Sequence, residues 1–163
     1  MIVSTIGHGS TTIETVPRLV KGLLSRKVVL AACSYHHSII LCSDGTLHSC
    51  GRNDVGQLGH GDTIDKKSPQ QVSLPFSTAQ EGDMTGISCG QFHSVIVTSS
   101  GSAFAAGKND YGQIGLEGPE NVKIFTKISL GGGSDAEGGG VKLASCGYYH
   151  TCLLYTSPSP RDS

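Results

Sequence analysis

The chain has 163 residues, with 13 Asp and Glu against 12 Lys and Arg, so its formal net charge is −1. Its basic residues are scattered and form no patch that would neutralise phosphates, which excludes nucleic-acid binding by this segment as an expectation. With no Trp, four Phe and five Tyr, the core must come from Val, Ile, Leu, Ala and Cys. The longest apolar run, Val28 to Cys33, is far too short to span a bilayer, and the start Met1 to His8 has neither a charged leader nor a long apolar core. No membrane or secretory role is expected.

Residues 1–27 read as the end of a repeating unit. Ile6-Gly7-His8-Gly9 lines up with Leu58-Gly59-His60-Gly61, and the same offset puts Pro17 on Pro69 and Val20 on Val72. The first complete unit, 28–83, opens with a strand at Val28–Cys33, a turn at Ser34-Tyr35-His36 and a strand at Ser38–Cys42. Asp44-Gly45 then predicts a two-residue type I′ hairpin, since both residues tolerate positive φ, followed by a return strand to Cys50. Gly51 to Gly59 holds four glycines in nine positions and reads as a compact loop. A fourth strand, Gln70–Leu74, follows Pro69.

The second unit, 84–140, repeats this order: Met84–Cys89, Ser94–Thr98, a turn at Ser100-Gly101, Ser102–Ala106, a glycine loop and Lys123–Ile128. It ends in Gly131-Gly132-Gly133 and Gly138-Gly139-Gly140, which read as a flexible acidic surface loop and not as phosphate loops, because Ser134-Asp135-Ala136-Glu137 between them would repel an anion. Residues 141–155 begin a third unit with Val141–Cys146 and Thr151–Tyr155. At most one short helical turn is expected, near 111–116. The tail Thr156 to Ser163 carries two prolines where the unit needs a hairpin; it is expected to be disordered, and reads either as non-native sequence or as a true polar C-terminus.

The repeat is explicit. Gly51-Arg52-Asn53-Asp54-Val55-Gly56-Gln57-Leu58-Gly59 returns as Gly107-Lys108-Asn109-Asp110-Tyr111-Gly112-Gln113-Ile114-Gly115, an offset of 56 that also carries Cys33 to Cys89, His37 to His93 and Gly45 to Gly101. Cys146 and His150 continue the series in the third unit. Four short strands per unit is the content of a propeller blade, so the fold class is all-β: a partial β-propeller of about two complete four-stranded antiparallel blades, with partial blades at each end. The middle strands, Ile39–Cys42 and Val95–Thr98, should lie deepest. An array of this length cannot close a ring, and an open arc that is marginal in isolation is expected.

The shared pattern of Cys33-Ser34-Tyr35-His36-His37-Ser38, Cys89-Gly90-Gln91-Phe92-His93-Ser94 and Cys146-Gly147-Tyr148-Tyr149-His150-Thr151, with Gly-x-Asn and Gly-Gln-Leu/Ile-Gly after it in two units, resembles the repeats of the regulator of chromosome condensation family. That resemblance implies a seven-bladed β-propeller. It also implies departures: Cys50 and Ala106 stand where family repeats usually carry a large aromatic, so looser packing is expected. Ser34 replaces the Gly of Gly90 and Gly147, so its turn should avoid positive φ or strain to reach it.

Chemistry-bearing residues have bland readings. His37, His93 and His150 recur once per unit and read as turn histidines bonded to backbone, because a catalytic residue seldom needs three copies. His36, His48 and His60 are expected to be exposed. Cys33, Cys89 and Cys146 share one repeat position and read as small buried residues, which fits a reducing, intracellular compartment, cytoplasmic or nuclear. No spacing suits zinc. Cys42 and Cys50 flank a hairpin, but with Asp44-Gly45 central they fall out of register for a disulfide. No metal, no cofactor and no side-chain catalysis are expected. Cys33, His37, Gly45, Gly51, Asn53, Gly56, Gln57, Gly59, Cys89, His93, Gly101, Gly107, Asn109, Gly112, Gln113, Gly115, Cys146 and His150 therefore read as structural repeat residues.

Function follows from what the resemblance implies. A propeller holds loops on two faces, so the expected partner is another protein, and the chain reads as a protein-interaction module within a larger regulatory protein of ubiquitin-ligase, kinase or BTB type. The alternative is guanine-nucleotide exchange on the small GTPase Ran, the founding member's activity. A light-sensing reading is set aside, because the family's UV-B receptor works through tryptophans and this chain has none.

Overall fold

The structure, a computed structural model, describes residues 7–118, 120–129 and 140–155. Three antiparallel sheets follow one another. The first takes β1 (Val28–Cys33), β2 (His37–Cys42), β3 (Leu47–Gly51) and β4 (Lys66–Gln71) in sequence order. The second takes β5 (Met84–Cys89), β6 (His93–Thr98), β7 (Ala103–Gly107) and β8 (Val122–Lys127) likewise, and the third holds β9 (Val141–Cys146) and β10 (Thr151–Tyr155). The chain is thus two complete propeller blades and the opening pair of a third. Residues 7–27 add a stretch that runs against β4, where Gly9 N donates to Lys67 O. The acidic glycine loop over 131–139 and the tail 156–163 lie outside the described residues.

The period of two explains how one strand serves two interfaces. In β6, Ile96 points into a cluster shared with the first blade, while Val95 and Val97 point into the cluster shared with β9 and β10. β7 divides the same way, Phe104 and Ala106 on one side and Ala103 and Ala105 on the other. Because both faces are covered, every residue of β2, β3, β6 and β7 is buried. The middle strands are as deep as the sequence predicts. Cys50 and Ala106, small where an aromatic was expected, are fully buried, and Ala106 sits in the cluster that contains Phe104 and Phe125.

Four local expectations are corrected. The first hairpin is not a two-residue type I′ turn: Leu41 opposes Leu47 and Ser38 opposes Cys50, one residue off the expected register. Cys42 N donates to Thr46 O and Gly45 N to Cys42 O, so three residues form the loop, with Gly45 (φ +77°) supplying the left-handed step after Ser43-Asp44. Asp44 accepts from Thr46 N and Thr46 Oγ1, which fixes this longer turn. The same hydrogen bonds recur at Thr98, Gly101 and Ser102. The Cys42–Cys50 exclusion survives the new register, and all six cysteines are thiols.

The fourth strand of the first unit is Lys66–Gln71, with Pro69 inside it. An edge strand tolerates proline, and here Pro69 falls within the register shift between the Ser49 and Gly51 pairings. The helical turn lies at α1 (Thr78–Glu81) and not near 111–116. Ser77 and Gln80 close a capping box on it, a signal present in the sequence. Finally, Gly90 and Gly147 do not adopt positive φ, so the repeat position that Ser34 occupies does not call for it.

Several repeat glycines are required by close approach as well as by φ. A Cβ on Gly59 (φ +79°) would lie 2.4 Å from Phe125 of the second blade, whereas one on Gly112 (φ +70°) meets nothing within 4 Å. Gly112→Ala should therefore cost about 1 kcal/mol, the conformational penalty alone, and Gly59→Ala on the order of 3 kcal/mol because Phe125 must also move. Urea unfolding of the two variants measures the difference.

Candidate interaction surface

The recurring histidines sit at the start of β2 and β6 and reach across blades. Ser94 Oγ donates to Gln57 O at 2.7 Å and so must accept from His37 Nε2, 2.8 Å away. In the next interface Thr151 Oγ1 donates to Gln113 O at 2.6 Å and accepts from His93 Nε2 at 2.9 Å. Each ring is held at Nε2 by a hydroxyl of the following unit, where the sequence reading expected backbone. The partner lies 57 or 58 residues away, beyond the reach of a local pattern. His150, the third member, is exposed.

The tautomer with Nε2–H leaves Nδ1 as an acceptor. Ser34 Oγ meets His37 Nδ1 at 2.9 Å. Gly90 has no hydroxyl to offer, and His93 Nδ1 finds no partner among the described residues. Glycine there makes room: a Cβ on Gly90 would lie 2.1 Å from the His93 ring, and one on Gly147 as close to His150. Burial holds the His37 ring neutral, lowering its pKa to about 3, with the neighbouring His93 and His36 adding to the effect. His93 is lowered to about 4, first by burial and then by His150.

The glycine loops stand on the same end of the blades. Asn53, fully buried, accepts from Leu58 N and donates to Asp62, and Gln57 Oε1 accepts from Val55 N. Asn109 and Gln113 repeat this with Ile114 N and Tyr111 N. Gly56 lies against Lys123, and Gly61 N donates to Lys123 O, so the first loop clamps β8 of the next blade. Gly51 and Gly107 (φ +113°) let their strands pass over His37 and His93. Gly45 and Gly101 mark the opposite end, where Gly45 borders an open depression of about 380 Å³ lined also by Thr46, Gln71, Ser73 and Phe76, with no acid, base or thiol among its walls.

His48 is buried, with Nδ1 3.9 Å from Cys42 Sγ, and His60 and His36 are half-buried, so the expected exposure of these three fails. His48 and His60 are held within their own unit, His60 bonded to Ser49, whereas His36 stacks on Phe92 of the next unit. Cys33 is exposed, Cys89 and Cys146 half-buried, so that position is less deep than its recurrence suggested. Cys89 Sγ points to Ala32 O of the first blade, and burial raises its thiol pKa. Among the described residues no group of three or more His, Cys, Asp or Glu could hold a metal ion, and no helix is long and apolar enough to cross a membrane.

What the sequence reading missed is a strip of rings on the loop end. Tyr35 meets His36 edge-on, His36 stacks on Phe92 at 5.4 Å, and Arg52 and Lys108 lie over Phe92 at 5.4 and 5.7 Å. Lys108 also lies 5.9 Å from the Tyr111 ring, Tyr111 meets Tyr149 at 5.6 Å, and Tyr149 meets Tyr148 at 4.3 Å. A hydrogen bond to Tyr148 is the first cause that raises the Tyr149 pKa. Arg52 pairs with Asp54 and Lys108 with Asp110. The strip crosses three units with no net charge from these four groups. Its signal was the ring before every recurrent histidine: His36, Phe92, Tyr149.

The buried histidines set a pH dependence. Unfolded, each ring protonates near 6.5; folded, His37 does so only near 3 and His93 near 4. The unfolded chain thus binds more protons in that window, and stability, complete above pH 6.5, falls as pH drops, by up to about 1.4 kcal/mol per pH unit for each ring. Thermal melting from pH 7.5 to 5 should show this fall, with a shallower slope in His37→Gln.

Comparison with known proteins agrees with this architecture. Profiles described as "Regulator of chromosome condensation (RCC1) repeat" match residues 5–41, 44–97 and 100–154, and a second profile of that description matches 28–57 and 84–113. The human E3 ubiquitin-protein ligase HERC2 is 36% identical over 125 residues, 75% of this chain and 2% of that protein. The Arabidopsis thaliana ultraviolet-B receptor UVR8 is 31% identical over 134 residues, 79% of this chain and 29% of that one. The crystal structure of Prp20p from Saccharomyces cerevisiae superposes with a TM-score of 0.69 at 23% identity, covering 85% of this chain and 33% of that one. The chain spans 2% to 33% of the length of these relatives. On its repeats and its blades alike, the chain belongs to the regulator of chromosome condensation (RCC1) repeat family.

Proposed function

We propose that this chain is a protein-interaction module of a larger intracellular regulatory protein, cytoplasmic or nuclear and of ubiquitin-ligase, kinase or BTB type, and that it binds its partner protein through the loop end that carries the ring strip. The observation that carries the reading is the strip itself: exposed Tyr35, Tyr111, Tyr148 and Tyr149 on the loop end, with Arg52 over the Phe92 ring between them. Tyr and Arg on a rigid support are the composition of binding hot spots. The ubiquitin-ligase relative supports the type of parent. Among the described residues the loops bring together no group of three or more potential metal ligands, which supports recognition as the role.

Photo-crosslinking of the full-length protein in cells tests this. A benzoylphenylalanine in place of Tyr111 should give a dominant protein adduct, and one in place of Asp44, on the opposite end, should not. Phe92→Ala should weaken the adduct. Equal adducts from both ends would refute the assignment of the face. A Ran nucleotide-release assay on the same protein decides between readings: release at the uncatalysed rate supports the interaction module, and acceleration supports the exchange reading.

A further inference from the structure

The three tyrosines at one end of the strip form corners. Tyr148 and Tyr149 cross at 76° with centroids 4.3 Å apart, and Tyr111 and Tyr149 at 65° and 5.6 Å. All three are open to solvent, Tyr111 at 73% and Tyr148 at 55%. Such corners offer flat apolar walls with phenol hydroxyls at their rims. Next to them the Lys108 ammonium is held 3.0 Å from Asp110.

Charge narrows the partner. Arg52 and Lys108 are each matched by their own carboxylate, Asp54 and Asp110, so the strip has no surplus charge with which to select an acidic or a basic peptide. A trimethylammonium group would need the open ring face of an aromatic cage, and here Lys108 Nζ already stands 5.9 Å from the Tyr111 ring, where it repels a second cation. An uncharged ligand with CH-rich rings fits these walls. Polyproline II segments have that character: pyrrolidine rings project from a pre-ordered helix, and the backbone carbonyls, without internal partners, seek donors. The Tyr111 hydroxyl, the one hydroxyl left over from the Tyr148–Tyr149 hydrogen bond and the Lys108 ammonium are donors.

We propose that the Tyr111, Tyr148 and Tyr149 corner binds an uncharged proline-rich segment of the partner protein in the polyproline II conformation. Prolines stack into the two corners, and these donors bond the carbonyls between them. The proposal rests on the reading that this loop end binds a protein, and gives that partner its chemistry.

Fluorescence anisotropy of the whole 163-residue chain with labelled peptides tests it. A hexaproline peptide should bind at least about tenfold more tightly than its alanine counterpart, and Tyr149→Ala should cost about tenfold, the loss typical of one anchoring ring. Tyr111→Phe keeps the ring and should lose less than Tyr111→Ala, with circular dichroism confirming that each variant is folded. Should Tyr149→Ala fail that check, Tyr111→Phe against Lys108→Ala carries the test, both being expected to weaken hexaproline. Hexaproline that binds no better than the alanine peptide, or equally well to the variants, overturns the proposal. Tyr149-dependent binding of an acidic or a trimethyl-lysine peptide in its place also overturns it while leaving the face assignment intact. If no peptide shows Tyr149 dependence and Tyr111 and Asp44 crosslink alike, both readings fall.

Discussion

The arrangement of blades depends on one small bridge: a hydroxyl at the start of a strand that accepts from the histidine of the preceding unit and donates to the glutamine carbonyl of that unit's glycine loop. Ser94 does this for His37 and Gln57, and Thr151 for His93 and Gln113. Two segments of one blade and one of the next meet in a single oxygen. Apolar contact between sheets is nearly indifferent to sliding, whereas these bonds are directional. They set how one blade sits against the next. Each is worth about 1 kcal/mol net, but breaking one leaves a buried polar group unpaired at about 1–3 kcal/mol, so the penalty for misalignment exceeds the gain from any single bond.

The glycines serve the same interface. Gly56 and Gly59 are loop residues of the first unit, yet what they touch is β8 of the second: Lys123 and the Phe125 ring. Phe125 in turn fills the cluster that holds Ile39 and Ile96 from facing blades. The loop, the outer strand and the core are therefore one contact. The two interfaces are not equally finished. His37 has Ser34 for its second nitrogen and Gln57 has Asp54 for its amide, whereas His93 Nδ1 and Gln113 Nε2 have no partner among the described residues, Gly90 lacking a hydroxyl.

This pattern also explains what could be read before the fold was known. Strands were legible because their residues carry the evidence themselves: β1, β5, β9 and β10 lie where their apolar runs placed them. Misreadings arose where a residue answers to something distant or to a side chain nearby. Asp44-Gly45 has the composition of a two-residue turn, and only the bonds from Thr46 to the Asp44 carboxylate show that three residues turn. Gly90 looked like a residue chosen for positive φ, but its reason is the His93 ring 2.1 Å from where a Cβ would be. The histidine partner was hidden because it belongs to the next unit. The ring strip was hidden for a different reason: its members share repeat positions but change identity from unit to unit, as His36, Phe92 and Tyr149 do, and a search for identical residues passes over them.

That difference separates scaffold from surface within each unit. Residues that recur unchanged, such as His37 and His93, Asn53 and Asn109, and Gln57 and Gln113, are buried and bonded within the blades or between them. Residues that change from unit to unit at fixed geometry, Tyr35, Gln91 and Tyr148 or Val55 and Tyr111, stand on the turns above. Because the bridge positions those turns identically, a substitution at a variable position alters the chemistry offered to a partner with little cost to the interface beneath. Recognition can then differ between blades that share one means of assembly, and the tyrosine corner of the second and third units has no counterpart in the first, where Val55 takes the place of Tyr111.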